Sequence, residues 1–175
     1  MVQSASKQMR PCELYLVRHG VAAERGDDWP DDTKRPLTTN GVSRFREVVE
    51  GLVWFGVGID EIYSSPLVRA RQTADLLSSG LDDHPPVRTL DELAPGHEPA
   101  RVLAELAKRV KRRRVALVGH EPDLGEFSAA LLGAQRALPF RKGGVCRIDV
   151  DRLGPSAAGS LIWFFPPKIL RKAGR

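Results

Sequence analysis

Four side chains of this chain have the types and spacing to handle a phosphoryl-like anion: Arg18, His19, Arg69 and His120. Arg18 and His19 close the segment Leu16-Val17-Arg18-His19-Gly20, and His120 closes Ala116-Leu117-Val118-Gly119-His120. Each histidine stands where an apolar, strand-like run stops. In an open α/β sheet the carboxyl ends of the strands form the ligand crevice, so two imidazoles and a guanidinium converge there. Arg69 lies in Ser64-Ser65-Pro66-Leu67-Val68-Arg69-Ala70-Arg71-Gln72-Thr73, about one turn into a helix that follows another strand. An arginine fork matches phosphoryl oxygens bidentately and stays charged at any relevant pH. Two arginines around a neutral histidine make a cage in which imidazole nitrogen can attack phosphorus and form a covalent intermediate. A second, protonated histidine would hydrogen-bond the equatorial oxygens as charge builds. Singly, each residue has a blander reading: a lone histidine after a strand is usually a satisfied polar group, and a lone arginine is a surface or ion-pair residue. The joint pattern, in this order, carries the inference.

The elements that must position these groups alternate between strand and helix. Positions 12–17 read as a strand. Positions 42–55 read as a helix with Val42, Phe45, Val48, Val49, Leu52 and Val53 on one face, ended by Gly56 and Gly58. A short strand follows at 59–63. Ser65 then Pro66 reads as an N-cap with proline at the first helical position, and that helix runs to about Ser79 before Gly80. Further on come a short strand at 87–90, a helix at 99–112, a strand at 114–118 and a helix at 122–132 stopped by Gly133. Strands at 145–150 and 161–165 form a closing hairpin around the loop at 154–160. This alternation predicts an α/β fold with a mostly parallel sheet covered on both faces and an antiparallel edge.

Length and composition bound the possibilities. At 175 residues a single domain is expected, placed at 11–167, with 1–10 and 168–175 as flexible tails. No apolar run approaches the ~20 residues of a membrane helix, and the polar N-terminus lacks the apolar core of a secretory signal. Cys12 and Cys146 both fall in predicted strands and read as buried thiols of a reducing cytoplasm. No Cys-x-x-Cys or His-x-x-x-His spacing offers a zinc site. Of the net charge of +5, the excess sits in the two termini. The tract Lys108-Arg109-Val110-Lys111-Arg112-Arg113-Arg114 reads as a solvated helix end suited to the macrodipole. It lacks the interleaved aromatics of a nucleic-acid platform, so nucleic acid is not an expected partner.

The motifs, taken together, resemble the histidine phosphatase (phosphoglycerate-mutase-like) superfamily, and within it the SixA-type phosphohistidine phosphatases. The resemblance rests on Leu16-Val17-Arg18-His19-Gly20, Arg35-Pro36-Leu37-Thr38-Thr39-Asn40-Gly41, the Ser64–Thr73 segment quoted above, and Leu117-Val118-Gly119-His120-Glu121-Pro122. It spans 14–167. It implies a three-layer α/β/α sandwich and a phosphatase that uses neither metal nor organic cofactor. It implies His19 as the nucleophile that becomes phosphohistidine, Arg18 and Arg69 as clamps on the phosphoryl oxygens, and His120 as the group that completes the pocket. Many family members protonate the leaving group with a carboxylate after the third strand. Here that is Glu92, with Asp91 behind it; the other reading of Glu92 is an ordinary loop carboxylate. Arg35 either extends the anion pocket or fixes its loop. Trp29, in the acidic run Asp27-Asp28-Trp29-Pro30-Asp31-Asp32, either lines the entrance or anchors that loop, and His84 and His97 read as exposed loop residues. The expected substrate is phosphohistidine in a protein. The alternatives are a small phosphate ester such as a sugar phosphate, and, in another class, a non-catalytic phospho- or nucleic-acid-binding module.

Overall fold

A computed structural model of the chain describes residues 11–174. The expectation of a flexible 1–10 segment lies outside those residues. Six strands, β1 (Cys12–Arg18), β2 (Glu61–Ser64), β3 (Val87–Thr89), β4 (Arg114–Gly119), β5 (Val145–Val150) and β6 (Gly159–Phe165), form one sheet in the order β3-β2-β4-β1-β5-β6. The β3, β2, β4 and β1 neighbours are parallel, whereas β5 and β6 run antiparallel at one edge. Five helices, α1 (Thr39–Trp54), α2 (Val68–Gly80), α3 (Pro99–Arg109), α4 (Asp123–Leu132) and α5 (Pro167–Ala173), cover both faces.

Strand alternation divides the core in two. Leu14 and Leu16 of β1 with Val115 and Leu117 of β4 meet Val102, Leu103 and Leu106 of α3 and Leu124, Phe127 and Leu131 of α4. Tyr15, Val17, Ala116 and Val118 point the other way, onto Phe45, Val48, Val49 and Leu52 of α1, Ala70, Ala74 and Leu77 of α2, and Leu170 of α5. Strands buried on both faces read as continuous apolar runs, which is why β1 and β4 stand out in the sequence. The result is the expected three-layer α/β/α sandwich. Among the described residues no helix is long and apolar enough to cross a membrane.

Several boundaries differ from the sequence reading. α2 starts at Val68, because the chain stays extended through Leu67 (φ −66°, ψ 137°); Ser65 is therefore no helix cap, and Gly80 is the last helical residue. α3 stops at Arg109, where Val110 turns extended, rather than running to 112. The basic tract is thus a helix end plus the start of β4, and four of its cations are paired: Lys108 and Arg109 with Glu105, Arg113 with Glu13, and Arg114 with Asp60. Cys146 is buried, but Cys12 is only partly so.

The segment 168–175, expected to be a loose tail, needs a larger correction. Most of it is α5, opened by Pro167 at its first turn, with Leu170 fully buried and Arg171 paired to Glu47 at 3.1 Å. The cause is Gly51. A Cβ there would lie 2.1 Å from the Leu170 carbonyl oxygen, so only glycine lets the α5 backbone seat against α1. Leu170→Ala should cost about 2–5 kcal/mol through the cavity it leaves. Gly51→Ala should cost about 1–3 kcal/mol by forcing the helices apart. Urea unfolding of the two variants checks both values.

Candidate active site

The two histidines meet because their strands are paired. β1 and β4 are parallel neighbours with Arg18 opposite Gly119, so His19 and His120 leave the sheet side by side. Their ring centroids lie 5.1 Å apart with the planes at 53°. The His19 amide still donates to the Gly119 carbonyl at 3.1 Å, which extends the ladder one step past the strand end. The helix after β1 packs on one face of the sheet and the helix after β4 on the other. Such a divergence opens a crevice beyond the carboxyl ends of the strands.

Partner chemistry fixes each imidazole's tautomer. His19 Nδ1 lies 2.7 Å from the Gly20 carbonyl, which can only accept, so Nδ1 carries the proton and Nε2 the lone pair. His120 Nε2 lies 2.8 Å from Ser65 Oγ. That hydroxyl accepts the Leu67 amide at 3.3 Å and, among the described residues, has no other acceptor for its own proton, so it donates to His120 Nε2. His120 Nδ1–H is then the free donor, buried and without a partner among the described residues.

The arginines follow the same plan. Arg18 Nη1 donates to the Phe140 carbonyl at 2.6 Å, while its Nε is buried and unpartnered. Arg69 donates from Nη1 to the Asp32 backbone oxygen at 2.8 Å and from Nη2 to Asp32 Oδ2 at 3.1 Å, and its Nε is likewise buried and unpartnered. Each guanidinium is fastened at one place and keeps donors in reserve. Buried donors left unpaired cost on the order of 1–3 kcal/mol each; three such donors belong to Arg18, Arg69 and His120, the side chains whose charge or ring lies near His19.

Both imidazoles are neutral in this pocket. Burial, reinforced by the charges of Arg69 and Arg18, brings His19 down to about 4. Burial, then His19 and Arg69, brings His120 down to about 3. Burial thus favours the neutral form of His120, and Nδ1–H is the donor that this form offers to an anion.

Neighbouring hydrogen bonds hold the loops. Thr73 Oγ1 accepts the Gly20 amide at 3.0 Å and donates to the Arg69 carbonyl at 2.7 Å. Gln72 Oε1 accepts the Leu37 amide at 2.7 Å. Arg35 is buried, with its Nε on Asp32 Oδ1 at 2.8 Å and Nη1 on the Ala23 carbonyl. Its contacts thus tie down its own loop, and Asp32 links it to Arg69. Glu92 lies on the short 3-10 turn after β3; it is half-buried and 3.7 Å from Arg101, with Oε2 unpartnered among the described residues. Asp91 beside it is exposed, as is His84, whereas His97 and Trp29 are half-buried. Three participants were missed in the sequence. Ser65 carries a signal that points to capping, and Asp32 is one acid among several in its loop. Glu121, next to His120, has a buried unpartnered Oε1, and burial raises its pKa against the pull of Arg18.

The depressed histidines predict how stability follows pH. In the unfolded chain both titrate near 6.5; in the folded chain they resist protonation. Stability is therefore fully present above about pH 6.5 and is lost as pH falls toward 4, at up to about 1.4 kcal/mol per pH unit per histidine. Denaturant melts between pH 7 and 4.5 should show this slope, reduced in His120→Asn. Ser65→Ala should shift the His120 ring signals in 15N spectra away from the Nδ1–H tautomer.

Comparisons with known proteins bear on the family and the fold. Residues 14–97 match the family model of the histidine phosphatase superfamily (branch 1). An uncharacterised protein of Picosynechococcus sp. (strain ATCC 27264 / PCC 7002 / PR-6) is 41% identical over 90% of this chain and 98% of its own length. Phosphohistidine phosphatase SixA of Escherichia coli K12 is 28% identical over 92% of this chain and 98% of its own. A solved structure of the protein histidine phosphatase SixA with tungstate superposes with a TM-score of 0.77 at 28% identity, covering 90% of this chain and 99% of that one. A branch 1 match at the amino-terminal half, SixA-like relatives over nearly the full length and a shared fold lead to one conclusion: the chain belongs to the histidine phosphatase superfamily and is a phosphatase.

Proposed function

We propose that this phosphatase removes the phosphoryl group from phosphohistidine in a cytoplasmic protein, without a metal, through a phosphorylated His19. One observation carries the reading: the unpartnered donors Arg18 Nε, Arg69 Nε and His120 Nδ1 are buried in the neighbourhood of a neutral His19 whose Nε2 bears the lone pair. His19 Nε2 attacks phosphorus as the bond to the leaving group breaks, and the leaving group takes up a proton. Water then cleaves phospho-His19, regenerating the imidazole and releasing inorganic phosphate. Arg18, Arg69 and His120 stabilise the equatorial oxygens where charge accumulates. A pocket flanked by two fixed guanidinium cations disfavours a divalent metal, which supports the metal-free reading.

The substrate class follows from the leaving group and from the relatives. A leaving imidazole is far less basic than an alkoxide and can be protonated before it departs, so it demands little of a general acid. The relatives at 28% identity named for phosphohistidine or protein histidine support the same class. The second reading, a small phosphate ester, gains from one observation: the Glu92 Oε2 atom is buried and unpartnered, as a reserve proton donor would be.

The decisive assay compares phosphate release from a phosphohistidine protein and from a panel of sugar phosphates, with EDTA present. Wild type should prefer phosphohistidine and ignore EDTA, and His19→Ala should lose turnover by at least 10³-fold, on the order of what removing a covalent nucleophile costs. Faster sugar-phosphate turnover would transfer the assignment to the ester. Glu92→Gln separates the readings further: an ester hydrolase should lose on the order of 10²-fold, a phosphohistidine phosphatase only a few-fold. The acid limb of kcat/KM, corrected for substrate ionisation, should lie near pH 4 rather than 6.5, because it reports His19 in the free enzyme.

A further inference from the structure

We propose that Asp32 is the positioning residue that orients Arg69, presenting its Nε edge to the bound phosphoryl group; this rests on the anion-pocket reading above. Asp32 opens a 3-10 turn (Asp32–Lys34) whose start is fixed by Asp31, which accepts the Thr33 amide at 3.0 Å. Its two carboxylate oxygens divide their labour. Oδ2 takes Arg69 Nη2 at 3.1 Å, while Oδ1 takes Arg35 Nε at 2.8 Å and Arg25 Nε at 2.9 Å. The backbone oxygen of the same residue takes Arg69 Nη1 at 2.8 Å. One residue therefore grips both terminal nitrogens of Arg69 from its main chain and its side chain.

That grip leaves one edge of the guanidinium open. A guanidinium offers an end-on edge through its two Nη groups and a side-on fork through Nε and one Nη. Asp32 occupies the end-on edge, and the Nε of Arg69 remains buried and unpartnered. A carboxylate that merely competed with phosphate would take the side-on fork as well. The Arg69 side chain is only 4% exposed while that of Asp32 is 37% exposed, so the carboxylate reaches inward from the rim to hold a buried cation. Three arginines share this one acid, so positive charge remains for a dianion.

The sign of one substitution separates positioning from charge. Asp32→Asn removes a negative charge beside the pocket, which by electrostatics alone would tighten anion binding. Loss of a charge-assisted anchor on Arg69 would weaken it instead. Calorimetric titration with tungstate, alongside kcat and KM on a phosphohistidine protein, reads the difference. Asp32→Asn should weaken tungstate binding about tenfold and raise KM more than it lowers kcat, roughly the worth of one charged hydrogen bond. Asp32→Glu keeps the charge but misplaces it; it should weaken binding too, and it supplies the readout if Asp32→Asn fails to fold. In an Arg69→Ala background Asp32→Asn should cause no further weakening, since the coupling runs through Arg69. Tighter binding in Asp32→Asn, unchanged binding in Asp32→Glu, or an equal loss with and without Arg69 overturns the inference while leaving the anion pocket intact. A wild type that binds no tungstate overturns the pocket reading and the inference together.

Discussion

The pairing of β1 with β4 is the constraint on which the rest depends. Both strands are apolar on both faces, so inside and outside residues do not by themselves specify the register. Polar clamps at the strand ends do. Arg114, at the start of β4, grips Asp60 just before β2 at 2.6 Å, and Arg113 grips Glu13 of β1 at 2.8 Å. Glu13 also receives the Tyr15 hydroxyl at 2.7 Å and lies 3.3 Å from Arg147 of β5. With those ends pinned, Arg18 falls opposite Gly119 and the two imidazoles emerge together. Part of the basic tract is thereby explained: Arg113 ties the start of β4 to β1, and Arg114 ties it to the segment before β2.

That alignment produces an electrostatic imbalance at the pocket. Amide carbonyls, a carboxylate and a hydroxyl hold Arg18, Arg69 and His120 while one buried nitrogen of each is left unsatisfied. The folded state bears the cost of those idle donors, and below about pH 6.5 it also bears the cost of keeping two imidazoles neutral where burial and neighbouring cations disfavour protons. Both costs are relieved by the same event. An anion satisfies the donors and, by its charge, makes protonation of the histidines easier. Binding and proton uptake are linked in such a pocket, and an anionic ligand stabilises the fold in proportion to its affinity.

The sequence made the strand-end groups legible because the signal is local. Arg18, His19 and His120 each follow an apolar run, and Arg69 sits in a helix-opening segment. What stayed hidden depends on contacts distant in sequence. Ser65 beside Pro66 looks like a cap, yet its hydroxyl serves a histidine 55 residues away. Asp32 lies among other acids in an exposed-looking loop, and only the folded chain selects it from them by bringing Arg69 to its side. α5 offers a single buried leucine among basic residues after two prolines, too little periodicity to mark a helix. Its existence is recorded instead in Gly51, a glycine inside α1 whose missing Cβ has a reason only when the second helix is present.

Carboxylates at an anion site need a physical reason, and the two here share one. A guanidinium taken out of water loses its hydration, and carbonyl oxygens restore only part of it. Asp32 stands behind Arg69, and Glu121 lies within electrostatic reach of Arg18. Each lowers the cost of burying its arginine, and each also subtracts from the field an anion feels. The balance differs between them. Asp32 is held charged by three arginines and is partly solvated, so it acts as a fixed anchor. Glu121 is held toward its neutral form by burial, with Oε1 unpartnered, so it subtracts less from the field around Arg18. A pocket built this way keeps its cations rigid without cancelling them, and that is the condition for an arginine to meet a phosphoryl oxygen with little rearrangement.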